Sequence, residues 1–244
     1  MDWLKSRHEW HYNLIRLMPR AKSKNSSVKA SIRAADKILV RVFGNPQWEG
    51  GDAVEALVGC ILSQATTDAQ SAAAYNALIA KYPTWEKLRA ARASDIARVI
   101  QSAGLANAKA RYIKHALQFI QRARGEINLD FLNDMRAADA RKWLMQIHGV
   151  GPKTASIVLL FAQKRNVFPV DTHVHRVTQR LGWIPENTSA AQAHKLLEAL
   201  IPPRRYYAMH INLIRLGREI CRAQKPRCEI CPLNALCAYY QNLK

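Results

Sequence analysis

The sequence predicts an all-α protein, on three observations. Apolar residues between positions 28 and 216 recur at helical spacing in short segments. These segments are bounded by capping residues at their starts and by glycine or proline at their ends. No stretch alternates with period two over a useful length. Val167–Val170 is too short and contains Pro169, and Ile38–Phe43 has helical neighbours.

In chain order, residues 1–29 come first and hold seven Lys/Arg against Asp2 and Glu9, with Trp3, Trp10, Tyr12, Leu14 and Leu17 interleaved. Part of this stretch fits an amphipathic helix lying on the body of the protein. Arg20–Ser27 reads as a solvated linker. A helical pattern then runs from Val28 to Phe43 and is broken by Asn45-Pro46 and Gly50-Gly51. From Asp52 to Pro202 nine helices are expected, at 53–63, 68–81, 84–92, 95–102, 107–124, 137–146, 152–164, 171–182 and 189–200. Asp52, Thr67, Ser94 and Ser189 are the expected N-caps. Pro83, Gly104, Gly125 and Gly182 are the expected stops. A further helix covers Tyr206–Leu216, and the tail beyond it has too little periodicity to fold without an added constraint.

Composition narrows the function. The 244 residues include 37 Lys plus Arg against 18 Asp plus Glu, a formal charge of +19. The basic residues are spread along the whole chain, which points to a polyanionic partner, nucleic acid first. No apolar run approaches the ~20 residues that span a bilayer, and no secretory leader is visible at the N-terminus, so an intracellular protein is expected, in the cytoplasm or nucleoid if prokaryotic. Four of the five cysteines, Cys221, Cys228, Cys231 and Cys237, crowd into the tail as C-x6-C-x2-C-x5-C. In a reducing compartment that spacing argues for a metal centre, zinc or [4Fe–4S], over disulfides. Arg222, Lys225 and Arg227 lie between the first two cysteines, where a pinned loop would array three cations for backbone phosphates. Cys60, alone in an apolar segment, reads as a core residue.

The most informative stretch is Ile147–Arg176. Gly149-Val150-Gly151 can turn sharply and present bare N–H groups to an anion at the start of the next helix. Pro152 suits a first helical position. Lys153 follows in the first turn, where it is either a solvated surface lysine or an amine nucleophile, since the positive end of the helix dipole disfavours an ammonium and leaves more free amine. Asp171 opens the next helix, and as a good N-cap it needs no further role. It can do both jobs if one oxygen caps and the other faces a pocket. His173 and His175 read as packing or polar contacts. Two loops, Leu62–Asp68 and Gly104–Lys109, fit either capping turns or contacts with DNA, with Leu105 either tucked inward or exposed.

Four motifs together, EALVGCILSQATTD (55–68), SAGLANAKA (102–110), HGVGPKTA with FPVDTHVHRV (148–177), and the cysteine ending, resemble the endonuclease III branch of the helix-hairpin-helix DNA glycosylase superfamily over residues 46–240. The resemblance implies two helical domains with DNA across the cleft. The divisions would be a basic N-terminal extension and helix (1–45) packing with the C-terminal domain, a six-helix domain including the hairpin (46–165), and an iron–sulfur domain (166–244). It implies that the four cysteines bind a [4Fe–4S] cluster, that Lys153 is the nucleophile and that Asp171 is its catalytic partner. His148, Gly149, Val150 and Gly151 would grip DNA, while Leu105 and Gln64 would fill the gap left by an extruded base. The implied activity is that of a monomeric bifunctional glycosylase and abasic-site lyase on damaged double-stranded DNA. Oxidised pyrimidines are the default lesion. Mismatched thymine or uracil, and 5-methylcytosine, are the alternatives, the last because LSQ-T-TD and FPVDTHVHR are also similar to the plant 5-methylcytosine glycosylases. A base-releasing enzyme that does not nick, or a non-catalytic iron–sulfur DNA-binding protein, would keep the same fold. The chain departs from the branch in three places. Ile147-His148 replaces Leu-Pro, Pro152 replaces a basic residue, and Ala65 stands in the register of the gap-filling glutamine.

Overall fold

A computed structural model describes residues 24–243. Trp3, Trp10, Tyr12, Leu14 and Leu17, and the helix expected of that stretch, lie outside the described residues. Every regular element among the described residues is helical. The first helix, α1, is Lys24–Phe43. It begins within the stretch expected to be a linker, because Asn25-Ser26-Ser27 continue the helix that Val28, Ile32, Ala35 and Leu39 anchor.

Seven helices follow: α2 (Ala53–Ser63), α3 (Asp68–Lys81), α4 (Trp85–Ala90), α5 (Ala93–Val99), α6 (Ala106–Arg124), α7 (Ala137–Leu144) and α8 (Pro152–Phe161). They pack around α2, the most apolar of them, which buries Val54, Leu57, Val58, Ile61 and Leu62 and lies chiefly against α8. The starts of α2 and α3 are where polar capping was expected. Asp52 accepts from the Glu55 N–H, and Thr67 forms a reciprocal capping box with Gln70. Ser94 does not cap. Helix α5 begins two residues earlier behind Arg92, whose guanidinium pairs with Asp95 at 3.0 Å, so an ion pair organises that turn.

The remaining helices are α9 (Thr172–Arg180), α10 (Ala190–Leu200), α11 (Tyr206–Glu219) and the short α12 (Ala238–Gln241). Helix α1 packs on α10 and α11. Arg205 clamps Asp36 with two bonds of 2.8 and 3.0 Å, and the Trp183 indole donates to Ser31. Helices α9 and α11 approach closely at Gly217, where a Cβ would stand 2.9 Å from that of His173. Several side-chain bonds join this group to the α2 group and its approach. The Trp48 indole donates to the Phe161 carbonyl at 2.9 Å, and Arg218 of α11 pairs with Asp68 at the start of α3.

Candidate functional site

The turn between α7 and α8 is a tight hairpin. Gly149 sits at φ +85°, and the Val150 N–H donates back to the Ile147 carbonyl at 3.0 Å. A Cβ on Gly149 would stand 3.1 Å from the Tyr112 ring, so both backbone angle and space require glycine there. His148, exposed, packs against Tyr112 at a ring separation of 5.3 Å and faces His115 beyond it. Its place before the glycines is therefore a stacking position on α6. Gly151 is extended, and no side chain caps α8 behind it. The first-turn N–H groups of α8 are thus free for an outside acceptor.

Lys153 is exposed at the second position of α8. Beneath it lie two groups that feel its charge. Burial pushes the half-buried Cys60 thiol up to about 11, and the Lys153 ammonium acts against that rise. Cys60, on α2, is half-buried rather than fully enclosed in the core, within electrostatic reach of the lysine. The second group is His210 of α11, 1% exposed, which burial holds down at about 4. Asp171 raises the affinity of His210 for a proton and Lys153 lowers it, which puts both residues within electrostatic reach of one imidazole.

Asp171 is delivered by a segment with no regular structure. Val167, Phe168, Pro169 and Val170 are all buried. Two histidines pin its carbonyls: His194 Nδ1 lies 2.9 Å from the Phe168 oxygen and His210 Nδ1 lies 3.0 Å from that of Pro169. The Phe168 N–H donates to Glu198, which also holds Arg141 in a two-bond pair. Asp171 Oδ1 then caps α9 by accepting the Val174 N–H at 2.7 Å. Among the described residues Oδ2 has no hydrogen-bond partner, so one oxygen caps and the other is available. His175 bonds the Thr188 carbonyl and His173 meets Arg176, the polar contacts expected of them.

Two loops border the hairpin. Gln64 Nε2 reaches the Gly149 carbonyl at 3.5 Å, tying the loop after α2 to the hairpin. The tip of that loop is the exposed Ala65 at φ +50°. In the second loop Gly104 (φ +65°) and Leu105 (φ +47°) both take left-handed angles, and Leu105 is 65% exposed rather than tucked inward. A third residue, Lys109, escaped sequence reasoning. It is 1% exposed and touches both loops. A lone lysine in a helix of mixed composition carries no mark of burial.

The four tail cysteines are free thiols around one apolar cavity, which Ile220, Pro226, Tyr239 and Tyr240 also line. Burial raises the Cys231 thiol to about 11, and the neighbouring thiols add to the rise. Burial and the charges of Cys221 and Cys237 likewise raise Cys228. Four crowded sulfurs of this kind become thiolates readily only when a cationic centre sits among them. The four sulfurs line this one cavity, a donor set that suits a metal centre held by four thiolates. Arg180 Nη1 lies 3.3 Å from Cys221 Sγ, and its guanidinium also holds the Arg222 and Ala223 carbonyls. Arg222, Lys225 and Arg227 are exposed, and none is ion-paired among the described residues.

Comparison with known proteins agrees with this geometry. Residues 58–203 match the family described as HhH-GPD superfamily base excision DNA repair protein, and residues 221–237 match the iron–sulfur binding domain of endonuclease III. Endonuclease III of Thermotoga maritima is 32% identical over 190 residues, covering 78% of this chain and 84% of that protein. An Arabidopsis thaliana relative is 34% identical over 190 residues, covering 74% of this chain, and the chain spans 64% of that protein's length. A solved structure, a trapped endonuclease III–DNA covalent intermediate, superposes with a TM-score of 0.75 at 31% identity, covering 88% of this chain and 98% of that one. With hairpin, helical frame and cysteine tail all matched, the chain belongs to the HhH-GPD superfamily of base excision DNA repair proteins, as an iron–sulfur DNA glycosylase/AP lyase of the endonuclease III type.

Proposed function

We propose that the protein excises damaged bases, oxidised pyrimidines first, from double-stranded DNA through a Lys153 Schiff base, and then nicks the strand. The observation that carries this reading is that Lys153 and Asp171 both act electrostatically on His210, with opposite sign, while the helix that bears Lys153 starts uncapped behind the hairpin. On this reading the protein has two domains with DNA across the cleft between them. Phosphates would be gripped by the backbone of the Gly149-Val150-Gly151 hairpin, through the N–H groups not spent on its internal Val150–Ile147 bond, with His148 alongside, and by the cations Arg222, Lys225 and Arg227. The target nucleotide turns out of the stack, which costs least where pairing is already weak. Leu105, with Gln64 beside it, fills the space.

The chemistry follows from the two side chains. As the glycosidic bond lengthens, positive charge grows on the sugar, and the Asp171 carboxylate stabilises it through its free Oδ2. The Lys153 Nζ lone pair forms a bond to C1′, and the C1′–N bond breaks with its electron pair going to the base, which leaves as an anion and takes a proton from solvent. The attached nitrogen loses a proton to Asp171, which passes it to the ring oxygen as the C1′–O4′ bond breaks, and an iminium forms between C1′ and Nζ. A proton is then lost from C2′ and the C3′–O bond breaks, releasing the 3′ phosphate and nicking the strand. Water in place of the amine would release the base but form no iminium.

Cys221, Cys228, Cys231 and Cys237 would hold the [4Fe–4S] cluster, which supplies a rigid anchor for its loop. The chain's part is to array Arg222, Lys225 and Arg227 around it. A monomer suffices, because every residue named here comes from one chain.

Borohydride trapping tests the reading. The native protein should yield a covalent adduct with lesion-bearing duplex, and Lys153→Gln should yield none while still binding. Trapping and nicking by Lys153→Gln would overturn the assignment.

A further inference from the structure

A buried lysine with no carboxylate beside it is costly to keep. Lys109 is such a residue, 1% exposed on the inner face of α6. Its Nζ donates to two carbonyls, that of Leu62 at 2.7 Å and that of Ala103 at 2.6 Å. Leu62 lies in the last turn of α2, and Ala103 ends the short 3-10 turn 101–103. Both oxygens belong to helical ends, where carbonyls lack intrahelical partners and the dipole is negative. One ammonium thus satisfies two chain ends that are 41 residues apart in sequence. A leucine would fill the same space and leave both oxygens bare.

The residues just beyond each carbonyl matter more. Immediately after Leu62 come Ser63, Gln64 and the exposed Ala65 at φ +50°. Immediately after Ala103 come Gly104 and Leu105, both at left-handed angles. Non-glycine residues at such angles cost about 1 kcal/mol or more each and persist only where the surroundings fix them. The helical ends on which the two strained loops begin are therefore joined through a single side chain. We propose that Lys109 is a positioning residue whose buried ammonium holds the Gln64–Ala65 loop and the Gly104–Leu105 loop at a fixed separation, so that both enter the DNA together. Its charge is tolerable there because the two carbonyls replace lost water, although burial still lowers its proton affinity. The proposal rests on the reading that these loops fill the gap left by the extruded nucleotide.

The test uses a duplex with a tetrahydrofuran abasic-site analogue and 2-aminopurine in the opposite strand, whose fluorescence rises when the loops unstack it. The full-length native protein should bind and raise the signal. Lys109→Met, which keeps the volume and removes the donor, should bind within about threefold of native affinity, since phosphate contacts are untouched, but lose most of the rise. Leu105→Ala should lose it too. In a double-mutant cycle Lys109→Met should cost little more once Leu105 is already alanine. Lys109→Arg keeps the cation and sets its donors at a different reach. It should show the same split between binding and signal, and serves if the methionine variant does not fold. A full fluorescence rise in Lys109→Met, or in Lys109→Arg where only that variant folds, overturns the proposal, as does an equal fall in binding and signal. A full rise in Leu105→Ala instead overturns the reading of the loops and leaves the clamp without a purpose.

Discussion

In the proposed mechanism Asp171 is the residue at which structural and chemical duties overlap, and the overlap can be taken apart. Asparagine caps helices about as well as aspartate, so Asp171→Asn should keep the Val174 bond and the melting temperature while removing the charge. Base excision should fall at least about 100-fold, of the order expected for loss of an electrostatic stabiliser. A large drop in melting temperature with unchanged specific activity would make the residue a cap alone. The histidines behind it give a second prediction. His210 and His194 are neutral in the fold, both pushed below the ordinary 6.5 by burial, His210 to about 4. The unfolded chain takes up protons that the native state refuses between those values, so stability should fall as pH drops from about 6.5 towards 4 and be level above. Asp171 and Lys153 face His210 with opposite effect, so the window is set chiefly by burial. Melting curves across this range should be steeper for native protein than for His210→Asn. At this scale the sequence was legible where chemistry and position were unusual together, as for Lys153 and the glycines. It was silent on Lys109 and on the Gln64–Gly149 bond, because each depends on a contact between segments distant in sequence.

Helix boundaries were readable where a short polar side chain does the capping, as at Asp52, Thr67 and Ser189. They slipped where a long-range or charged contact takes over, as at Arg92 before α5. The turn at 130–134 was missed because five residues of 3-10 geometry show no period. The cysteine loop is the element whose order depends on bound metal. Its exposed cations Arg222, Lys225 and Arg227 predict a salt effect. Each alanine substitution among them should lower the slope of log affinity against log salt by about 0.9 on duplex DNA. The loss should be alike for damaged and undamaged duplex, because phosphate contacts carry no base information. A slope unchanged in the triple variant would remove this loop from the DNA-binding surface. Removing the metal should abolish the slope contribution of the same three residues while α2–α8 stay folded.

Across the whole molecule a net charge of +19 draws the chain to DNA, but charge alone is indifferent to where on the duplex it lands. Discrimination has to come from stiffness. The hairpin is tied to the first loop through Gln64 and Gly149, and the first loop to the second through Lys109. If the hairpin grips phosphates and the two loops fill the gap, as proposed, these bonds make them one stiff template with fixed spacings. When such a template closes on a duplex, the duplex must supply the deformation. The energy that takes depends on how pliable the local base-pair step is. A lesion that weakens stacking lowers this energy whatever its chemical identity. The molecule then works as a compliance gauge, and many unlike lesions can register on it as one mechanical property.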